Sequence, residues 1–177
     1  NVDPTISAVV AVPSPVNEAS PTTVTVTATD PAGANDPLAY AFDCDGNGAF
    51  EVGPQAAASS TCTFDDGPAT RTINVRVTDG DGGVDDDSVV VGVLNVPPTA
   101  TFGNGGAVDE GSTGTVSFSA QADVSSSDQG AGFTYSYDFD DDGVFEISDS
   151  SAASATVPAL YLSDGPGSRT VRGRIID

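Results

Sequence analysis

Two stretches of the chain carry oxygen-bearing side chains at a spacing that suits a hard metal ion. Residues 43–51 and 138–146 both follow the pattern Asp-x-Asp-x-Asp/Asn-Gly-x-Phe-Glu. Ca²⁺ takes roughly six to eight oxygen ligands at about 2.3–2.6 Å, and alternate side chains of a tightly curled loop can converge on one point. Glycine at the sixth position permits the sharp turn because it has no Cβ atom.

We therefore predict two calcium loops; acidic turns without metal are the alternative. The expected ligands are the side chains at loop positions 1, 3, 5 and 9 and the backbone carbonyl at position 7. They are Asp43, Asp45, Asn47, Ala49 and Glu51 in the first loop, and Asp138, Asp140, Asp142, Val144 and Glu146 in the second. The phenylalanines of the loops, Phe50 and Phe145, are expected to pack into the core.

The two loops belong to a longer internal repeat. Residues 17–20 (Asn-Glu-Ala-Ser) correspond to 109–112 (Asp-Glu-Gly-Ser), and residues 66–68 (Asp-Gly-Pro) correspond to 164–166. Arg76 matches Arg174, and both are expected to pair with acids. A period near 95 residues suits whole domains in tandem rather than a solenoid. We predict two domains, residues 1–94 and 95–177.

The composition indicates an all-β fold. Valine and threonine alternate over 22–29 and 71–78, which is the pattern of half-buried strands, and no segment has a helical stripe. Short strands separated by Gly, Asp and Pro turns favour an antiparallel sandwich. We predict two tandem immunoglobulin-like β-sandwiches. Their strands include 49–52 after the first loop, and 144–148, 155–162 and 169–176 in the second copy.

The second copy stops at Asp177, which aligns with Asp79, and has no counterpart of residues 88–93. We therefore expect the second sandwich to lack its last strand. Either the chain is part of a longer one, or a neighbouring subunit supplies the strand, as in donor-strand assembly. The junction at 94–99 contains two prolines, so an extended and stiff connector is expected.

The charge balance excludes several classes of partner. Five arginines against 26 acids give a formal charge of −21. Binding to nucleic acid needs basic patches, and anionic membranes would repel such a chain. We expect neither nucleic-acid binding nor membrane insertion. Bound Ca²⁺ would offset part of the charge; a solvated acidic surface is the other explanation.

The only two cysteines are Cys44 and Cys62. By repeat alignment they match Phe139 and Leu160, an apolar pair, so the two positions are expected to be neighbours. We predict a disulfide between them, with two buried free thiols as the alternative. A disulfide indicates an oxidising compartment, and the chain has no signal peptide or 18-residue apolar span. We expect a secreted, extracellular or cell-surface protein.

Each copy resembles a PKD (polycystic-kidney-disease-like) domain of the kind found in tandem in bacterial and archaeal extracellular proteins. The resemblance covers nearly the whole chain and depends on four motifs. These are the openings at 1–5 and 95–99, the glutamates Glu18 and Glu110, the Tyr-x-Phe/Tyr-Asp entries at 40–43 and 135–138, and the Val-Thr-Asp-Gly exit at 77–80. The common Trp-Asp-Phe-Gly-Asp-Gly entry is replaced by the calcium-loop pattern. Bacterial cadherin-like domains are a close competitor.

The resemblance implies an immunoglobulin-like sandwich that acts as a spacer, adhesive or protein-contact module. It also implies a second kind of calcium site, near the start of each domain. Plain turn aspartates are the alternative there. The residues would be Asn1, Asp30 and Asp79 in the first copy, and Asn95, Asp123 and Asp177 in the second. Glu18 and Glu110 are interpreted either as calcium ligands or as turn anchors.

Catalysis is not expected. The chain has no His or Lys, so most nucleophile–base arrangements are unavailable. We predict a calcium-stabilised structural or adhesive repeat of an extracellular surface protein or filament, whose partners are neighbouring repeats or subunits, a surface protein or a polysaccharide. The alternative is an accessory substrate- or carbohydrate-binding module of a secreted hydrolase, which requires an exposed aromatic platform.

Overall fold

The computed structural model describes residues 1–177 and divides the chain into two compact units, Asn1–Val96 and Pro97–Asp177. This division lies close to the predicted one after Leu94. Both units are β-sandwiches built from two sheets, and their strand pairs are antiparallel except for one short parallel pair in the first unit. The predicted all-β, tandem immunoglobulin-like fold is confirmed. No helix in the chain has the length and apolar character needed to cross a bilayer.

The first unit packs a sheet of three strands against a sheet of five. The orders are β1-β3-β6 and β2-β8-β7-β4-β5. The strands are β1 (Thr5–Val12), β2 (Val16–Asn17), β3 (Pro21–Thr29), β4 (Ala39–Asp43), β5 (Val52–Gln55), β6 (Ser59–Thr63), β7 (Ala69–Thr78) and β8 (Val84–Leu94).

The second unit has two sheets of three strands, ordered β13-β10-β9 and β12-β11-β14. The strands are β9 (Thr99–Asn104), β10 (Gly114–Ala122), β11 (Thr134–Asp138), β12 (Ile147–Ser150), β13 (Ser154–Val157) and β14 (Arg172–Ile176). A 3-10 turn, Ala159–Leu162, follows β13. In these residues β14 pairs with β11.

Period-two patterning places the first core between its sheets. In β3, Val24 and Val26 point inward and are 0% and 4% exposed, whereas Thr23, Thr25 and Thr27 face solvent. In β7, Ile73, Val75 and Val77 are buried in the same way. Since successive strand residues point to opposite faces, the alternation read from the sequence becomes one buried face per sheet.

The second core is more aromatic. Phe118, Tyr135, Tyr137 and Phe139 are buried there, and the rings of Phe102 and Phe118 lie 4.6 Å apart between centroids. Aromatic side chains bury large areas each. They allow the second unit to form a core with fewer strands.

Several predicted strand boundaries are wrong. The strands predicted at 49–52 and 144–148 begin later, at Val52 and Ile147, because the residues before them belong to the acidic loops. The strand predicted at 155–162 ends at Val157, since Pro158 is followed by the 3-10 turn. The strand predicted at 169–176 begins only at Arg172.

A short helix, α1 (Ser126–Ala131), lies where no helical pattern was recognised. The hydroxyl of Ser125 accepts a hydrogen bond from the Asp128 N–H and caps its first turn. Gly132, with φ of 85°, ends it. A helix this short has too few turns to show periodicity in the sequence.

The predicted disulfide is confirmed. Cys44 and Cys62 are bonded, with Cα atoms 5.5 Å apart, so the first acidic loop is tied to β6. The alignment of Cys62 with Leu160 is wrong. Thr22 pairs with Cys62, and the matching pair in the second unit is Gly114 with Val157. Leu160 is 68% exposed, whereas Val157 is buried in one core with Phe139.

Candidate metal centres

The first acidic loop connects β4 to β5. Asp43 is the last residue of β4, and the chain then curls through two positive-φ glycines, Gly46 at 73° and Gly48 at 92°. A Cβ atom on Gly46 would lie 2.8 Å from the carbonyl oxygen of Thr72, so a side chain at this position would clash with β7. The loop is therefore packed against the sheet as well as curled.

Asp43 organises this loop from inside the protein. Its side chain is fully buried, and its carboxylate accepts hydrogen bonds from the N–H groups of Gly46 at 2.7 Å and Gly48 at 2.9 Å. The amide of Asn74 on β7 donates to the same carboxylate at 2.8 Å. Burial opposes ionisation, but these donors outweigh it and lower the pKa of Asp43 below its ordinary value of 3.8. The first loop position therefore carries a negative charge.

The second loop repeats this hydrogen-bond scheme. Asp138 accepts from the N–H groups of Asp141 at 2.7 Å and Gly143 at 3.0 Å. Burial again opposes ionisation, and these backbone donors again lower the pKa of the carboxyl. At the far end, Glu146 accepts from the Phe139 N–H at 2.6 Å, just as Glu51 accepts from Cys44 at 2.8 Å.

The fifth and seventh positions correspond as well. The N–H of Ala49 donates to Asn47 Oδ1, and the N–H of Val144 donates to Asp142 Oδ1, both at 2.7 Å. Two loops with different residues at positions 2, 4, 5 and 7 thus share one set of backbone contacts. The common motif therefore accounts for the contacts that the two loops share.

The predicted acidic ligands converge in both loops. Each residue of a cluster offers one carboxylate oxygen, and these oxygens all lie within 4.8 Å of one another. The clusters are Asp43, Asp45 and Glu51 in the first loop, and Asp138, Asp140, Asp142 and Glu146 in the second. Asn47, the amide of the first set, lies beside it and donates to Asp45 Oδ2 at 2.8 Å.

Asp140 is the carboxylate of the second loop whose charge its surroundings compensate least. Its Oδ1 atom is buried and has no hydrogen-bond partner. Burial, together with the negative charges of Asp142 and Glu146, raises the pKa of Asp140 above its ordinary value. Burial and the same acids raise the pKa of Tyr161. Since four carboxylates share this space, a divalent ion would relieve both their repulsion and the desolvation of Asp140.

The second kind of predicted site forms in part. In the first unit, carboxylate oxygens of Asp30, Asp36 and Asp79 lie within 4.8 Å of one another. Asn1 donates to Asp79 at 2.9 Å, and this hydrogen bond is the main cause of the lowered pKa of Asp79. Asp30 accepts from the Ala32 N–H through Oδ1, while its buried Oδ2 has no partner.

The second unit has a matching cluster of Asp123, Asp128 and Asp177, whose carboxylate oxygens approach one another within the same 4.8 Å. Asp123 repeats the arrangement of Asp30: Oδ1 accepts from the Ser125 N–H at 2.8 Å, and Oδ2 is buried without a partner. Asn95, predicted to join this set, belongs to the first compact unit.

The two glutamates that match between the copies, Glu18 and Glu110, occupy different environments. Glu18 is fully buried and anchors backbone: one carboxylate oxygen accepts from the Gly67 N–H and the other from the Val96 N–H, both at 2.8 Å. Glu110 is exposed, and the structure gives it one such contact, from Gly165 at 3.3 Å. Glu18 therefore anchors backbone, and its interpretation as a calcium ligand stays a prediction.

The loop phenylalanines do not join the cores as expected. Phe50 lies beneath the guanidinium of Arg76, 5.0 Å from it, and Phe145 lies beneath that of Arg174 at 4.5 Å. The residue before the last loop glutamate faces the sheet surface, where an arginine covers it. Arg76 pairs with Asp86 as predicted, but Arg174 forms no ion pair.

Sequence reasoning missed three residues of these sites. Asn74 supports Asp43 from 31 positions away in the sequence. Asp36 and Asp128 join the second kind of cluster. Asp36 is buried, and its carboxylate accepts a hydrogen bond from the Gly80 N–H at 2.6 Å. It precedes a proline, and this Asp-Pro step is the sequence feature from which its place opposite the Asp-Gly exit could have been predicted. Asp128 becomes a neighbour only because α1 forms.

No protein-family model and no curated protein matches the sequence. Among solved structures, a carbohydrate-binding module of the β-sandwich superfamily is similar at 15% identity and a TM-score of 0.45, over 66% of this chain and 55% of that one. The N-terminal eight immunoglobulin domains of Down syndrome cell adhesion molecule are similar at 14% identity and 0.44, over 89% of this chain and 21% of that one. Murine CEACAM1b is similar at 14% identity and a TM-score of 0.39, over 99% of this chain and 92% of that one. At these identities the likeness concerns the fold alone.

Proposed function

We propose that the chain is a calcium-stabilised structural repeat of an extracellular surface protein, acting as a spacer and protein-contact module. The observation that carries the proposal is the pair of matched loops. In each, a buried aspartate draws the backbone into one curl and brings the other acids to within ion-binding distance. A bound cation in each loop would offset the gathered negative charge.

Three buried carboxylate oxygens support Ca²⁺ as the group that does so. Asp140 Oδ1, Asp30 Oδ2 and Asp123 Oδ2 have no hydrogen-bond partner, and each belongs to a different acidic cluster. Leaving such an atom buried and unpaired costs free energy. All-oxygen donor sets of carboxylates and amides suit Ca²⁺ better than transition metals.

Stiffness is the contribution that calcium would make to a spacer. The first loop joins β4 to β5 and is tied by the Cys44–Cys62 disulfide to the facing sheet. The second loop joins β11 to β12 and is held by Phe139 against Tyr161, with ring centroids 5.7 Å apart. An ion in either loop would therefore restrain the central sheet of its unit.

The surface supports a structural role over recognition of a sugar. The exposed large hydrophobic side chains are valines and leucines, among them Val10, Val12, Val90 and Val144. Sugar binding through stacking needs exposed aromatic rings. Specific signals on a glycan array would reverse this preference.

The proposal is tested by calcium titration of the metal-free chain. Extracellular sites commonly bind with Kd values of about 10⁻⁴–10⁻³ M, so 10 mM Ca²⁺ would stabilise each unit by about 1.4–2.7 kcal/mol per site. That corresponds to a rise in Tm on the order of 5–20 °C for units of this size. Excess EGTA should reverse it.

Matched variants locate the effect. Asp140→Asn removes one carboxylate charge from the second loop and should abolish its saturable binding, whereas Asp45→Asn should do so for the first. Asp164→Asn is the control, because Asp164 is exposed and outside the four clusters. Melting curves that neither Ca²⁺ nor EGTA moves, or equal effects of all three variants, would overturn the proposal.

A further inference from the structure

One sheet of each unit carries no charged residue. The strands β1, β3 and β6 of the first unit, and β9, β10 and β13 of the second, contain no Asp, Glu, Lys or Arg. Every charged residue that lies in a strand belongs to the other sheet of its unit. These residues are Asp43, Arg71, Arg76, Asp85, Asp86, Asp87, Asp138, Asp149, Arg172 and Arg174.

The outward side chains of the uncharged sheet in the first unit are mainly threonines. Cross-strand pairing sets them in two rows, which are Val10, Thr25 and Ser59, and Val12, Thr23 and Thr61. All six residues are exposed, and the two valines are 50% and 63% exposed. Neighbouring strands lie about 4.8 Å apart, and residues two apart along a strand are separated by about 6.8 Å, so methyl and hydroxyl groups form a regular array.

The second unit presents a comparable surface with other residues. Thr115 pairs with Thr156, and Ser117 lies between Gly103 and Ser154. We call the outward surfaces of these two sheets, β1-β3-β6 and β13-β10-β9, the neutral face of each unit. The two copies differ in the residues that form this face, yet both have hydroxyl side chains and no charge.

Strand propensity does not account for the absence of charge. The five-stranded sheet of the first unit has Arg76 and Asp86 on its strands, and their side chains are 43% and 52% exposed. Arg172 and Arg174 lie on β14 in the second unit. Charged residues are therefore compatible with the strands of one sheet, and their absence from the other sheet is a property of that face.

The neutral face allows two copies of the chain to meet without bringing like charges together. Each chain has a formal charge of −21, so contact through an acidic surface would require carboxylates to lose water beside other carboxylates. Serine and threonine hydroxyls both donate and accept hydrogen bonds, so they can pair across an interface. The threonine methyl groups, with Val10 and Val12, add apolar area to the contact.

The size of the face predicts a weak contact. Three strands are about 14 Å wide and the nine residues of β3 are about 30 Å long, so two stacked faces bury on the order of 800 Å² in total. Stable interfaces bury about 1,200–2,000 Å². Salt should favour the contact by screening the remaining charges, because the Debye length falls from about 10 Å at 0.1 M to about 3 Å at 1 M.

We propose that the neutral face binds the neutral face of a second copy of this chain, with the two sheets stacked. Packed sheets lie about 10 Å apart. Around a two-fold axis, Thr25 at the middle of β3 lies close to Thr25 of the other copy. This proposal rests on the protein-contact role proposed above and names its partner, but it requires no bound calcium.

The test is sedimentation equilibrium of the full chain in EGTA, at protein concentrations up to about 1 mM. We expect a monomer in 0.1 M NaCl and reversible dimerisation in 1 M NaCl. The double variant Thr25→Glu, Thr156→Glu places one charge on the neutral face of each unit and should weaken dimerisation at least tenfold. The control is Thr70→Glu, Ser148→Glu, which adds the same charge at exposed strand positions of the other sheets and should change it less than threefold.

A charge swap tests the stacked arrangement itself. The variant Thr25→Lys, Thr156→Lys should also dimerise at least tenfold more weakly than the native chain. An equimolar mixture of the Glu and Lys variants should regain association, because opposite charges then face each other. All substituted residues are exposed, so the variants should fold, which circular dichroism checks directly.

Three results would each overturn the proposal. The first is a native chain that stays monomeric at 1 mM in 1 M NaCl, including one that instead binds a soluble neutral glucan through this face. The second is equal weakening by the Glu variant and its control, meaning that net charge alone governs association. The third is a mixture of Glu and Lys variants that remains monomeric. The rise in Tm with Ca²⁺, measured on the same Glu variant, tests the calcium-stabilised role separately.

Discussion

Glu18 offers a test of how the first unit is held closed. Replacing it by glutamine preserves the shape of the side chain, but one of its two oxygens becomes an NH₂ group. In the native protein each oxygen accepts a backbone N–H at 2.8 Å in a fully buried setting. In Glu18→Gln one of those N–H groups faces another donor and loses its acceptor.

The expected loss of stability follows from the one backbone N–H group that loses its acceptor. A buried donor left without an acceptor costs about 1–3 kcal/mol, and the remaining hydrogen bond loses its charge assistance. We expect Glu18→Gln to lower the free energy of unfolding of the first unit by about 2–4 kcal/mol. Glu110→Gln is the matched control. Glu110 is exposed and makes a single 3.3 Å contact, so its replacement should stay within about 0.5 kcal/mol.

Hydrogen exchange measures each unit separately within the same chain. The amides of β7 report on the first unit, and those of β11 report on the second. Faster exchange at Gly67 and Val96 should accompany the loss in β7 if the anchor is the cause. Equal effects of the two variants, or a loss below 0.5 kcal/mol for Glu18→Gln, would refute the reasoning.

Further predictions concern the disulfide, the buried aspartates and one tyrosine. Reducing the Cys44–Cys62 disulfide, whose sequence separation is 18, should destabilise the first unit by about 3 kcal/mol and leave the cysteine-free second unit unchanged in urea melts; an unchanged first unit would contradict this. Asp43 and Asp138 have pKa values lowered from 3.8, so they bind fewer protons folded than unfolded. Their stabilisation should be present above about pH 4 and lost as the pH falls through the lowered values, and melts in EGTA between pH 2 and 6 should show that decline; Asp43→Asn should flatten it for the first unit. Tyr137→Phe should cost about 1 kcal/mol, because the buried hydroxyl donates to the Ala152 carbonyl at 2.8 Å, and calorimetry that shows no shift in Tm would count against this role.

The acidic loops show how much of a loop conformation can be predicted from local sequence. Their motif places carboxylates at fixed intervals and a glycine where φ is positive, and the two loops accordingly share one hydrogen-bond scheme. The fourth position was not recognised as special. It also has positive φ, with Gly46 at 73° and Asp141 at 59°, and in the first loop it lies against Thr72. The contact with Thr72 comes from β7, which is distant in the sequence, so it could not be predicted from the residues of the loop.

Local alternation and repetition were enough to predict the all-β class, the two units and the gathering of acids in each loop, since these depend on spacing over a few residues or on comparison of two copies. The disulfide was predicted correctly although the alignment of Cys62 with Leu160 was wrong. Tertiary structure alone decided which distant groups complete each site. Asn74 reaches Asp43 because β7 pairs with β4, and Val157 rather than Leu160 replaces Cys62 because strand register, not residue count, sets neighbours. It also decided that Glu18 is buried with both carboxylate oxygens bound to backbone N–H groups, whereas Glu110 is exposed and accepts one, because the groups that hold Glu18 lie 49 and 78 residues away in the sequence.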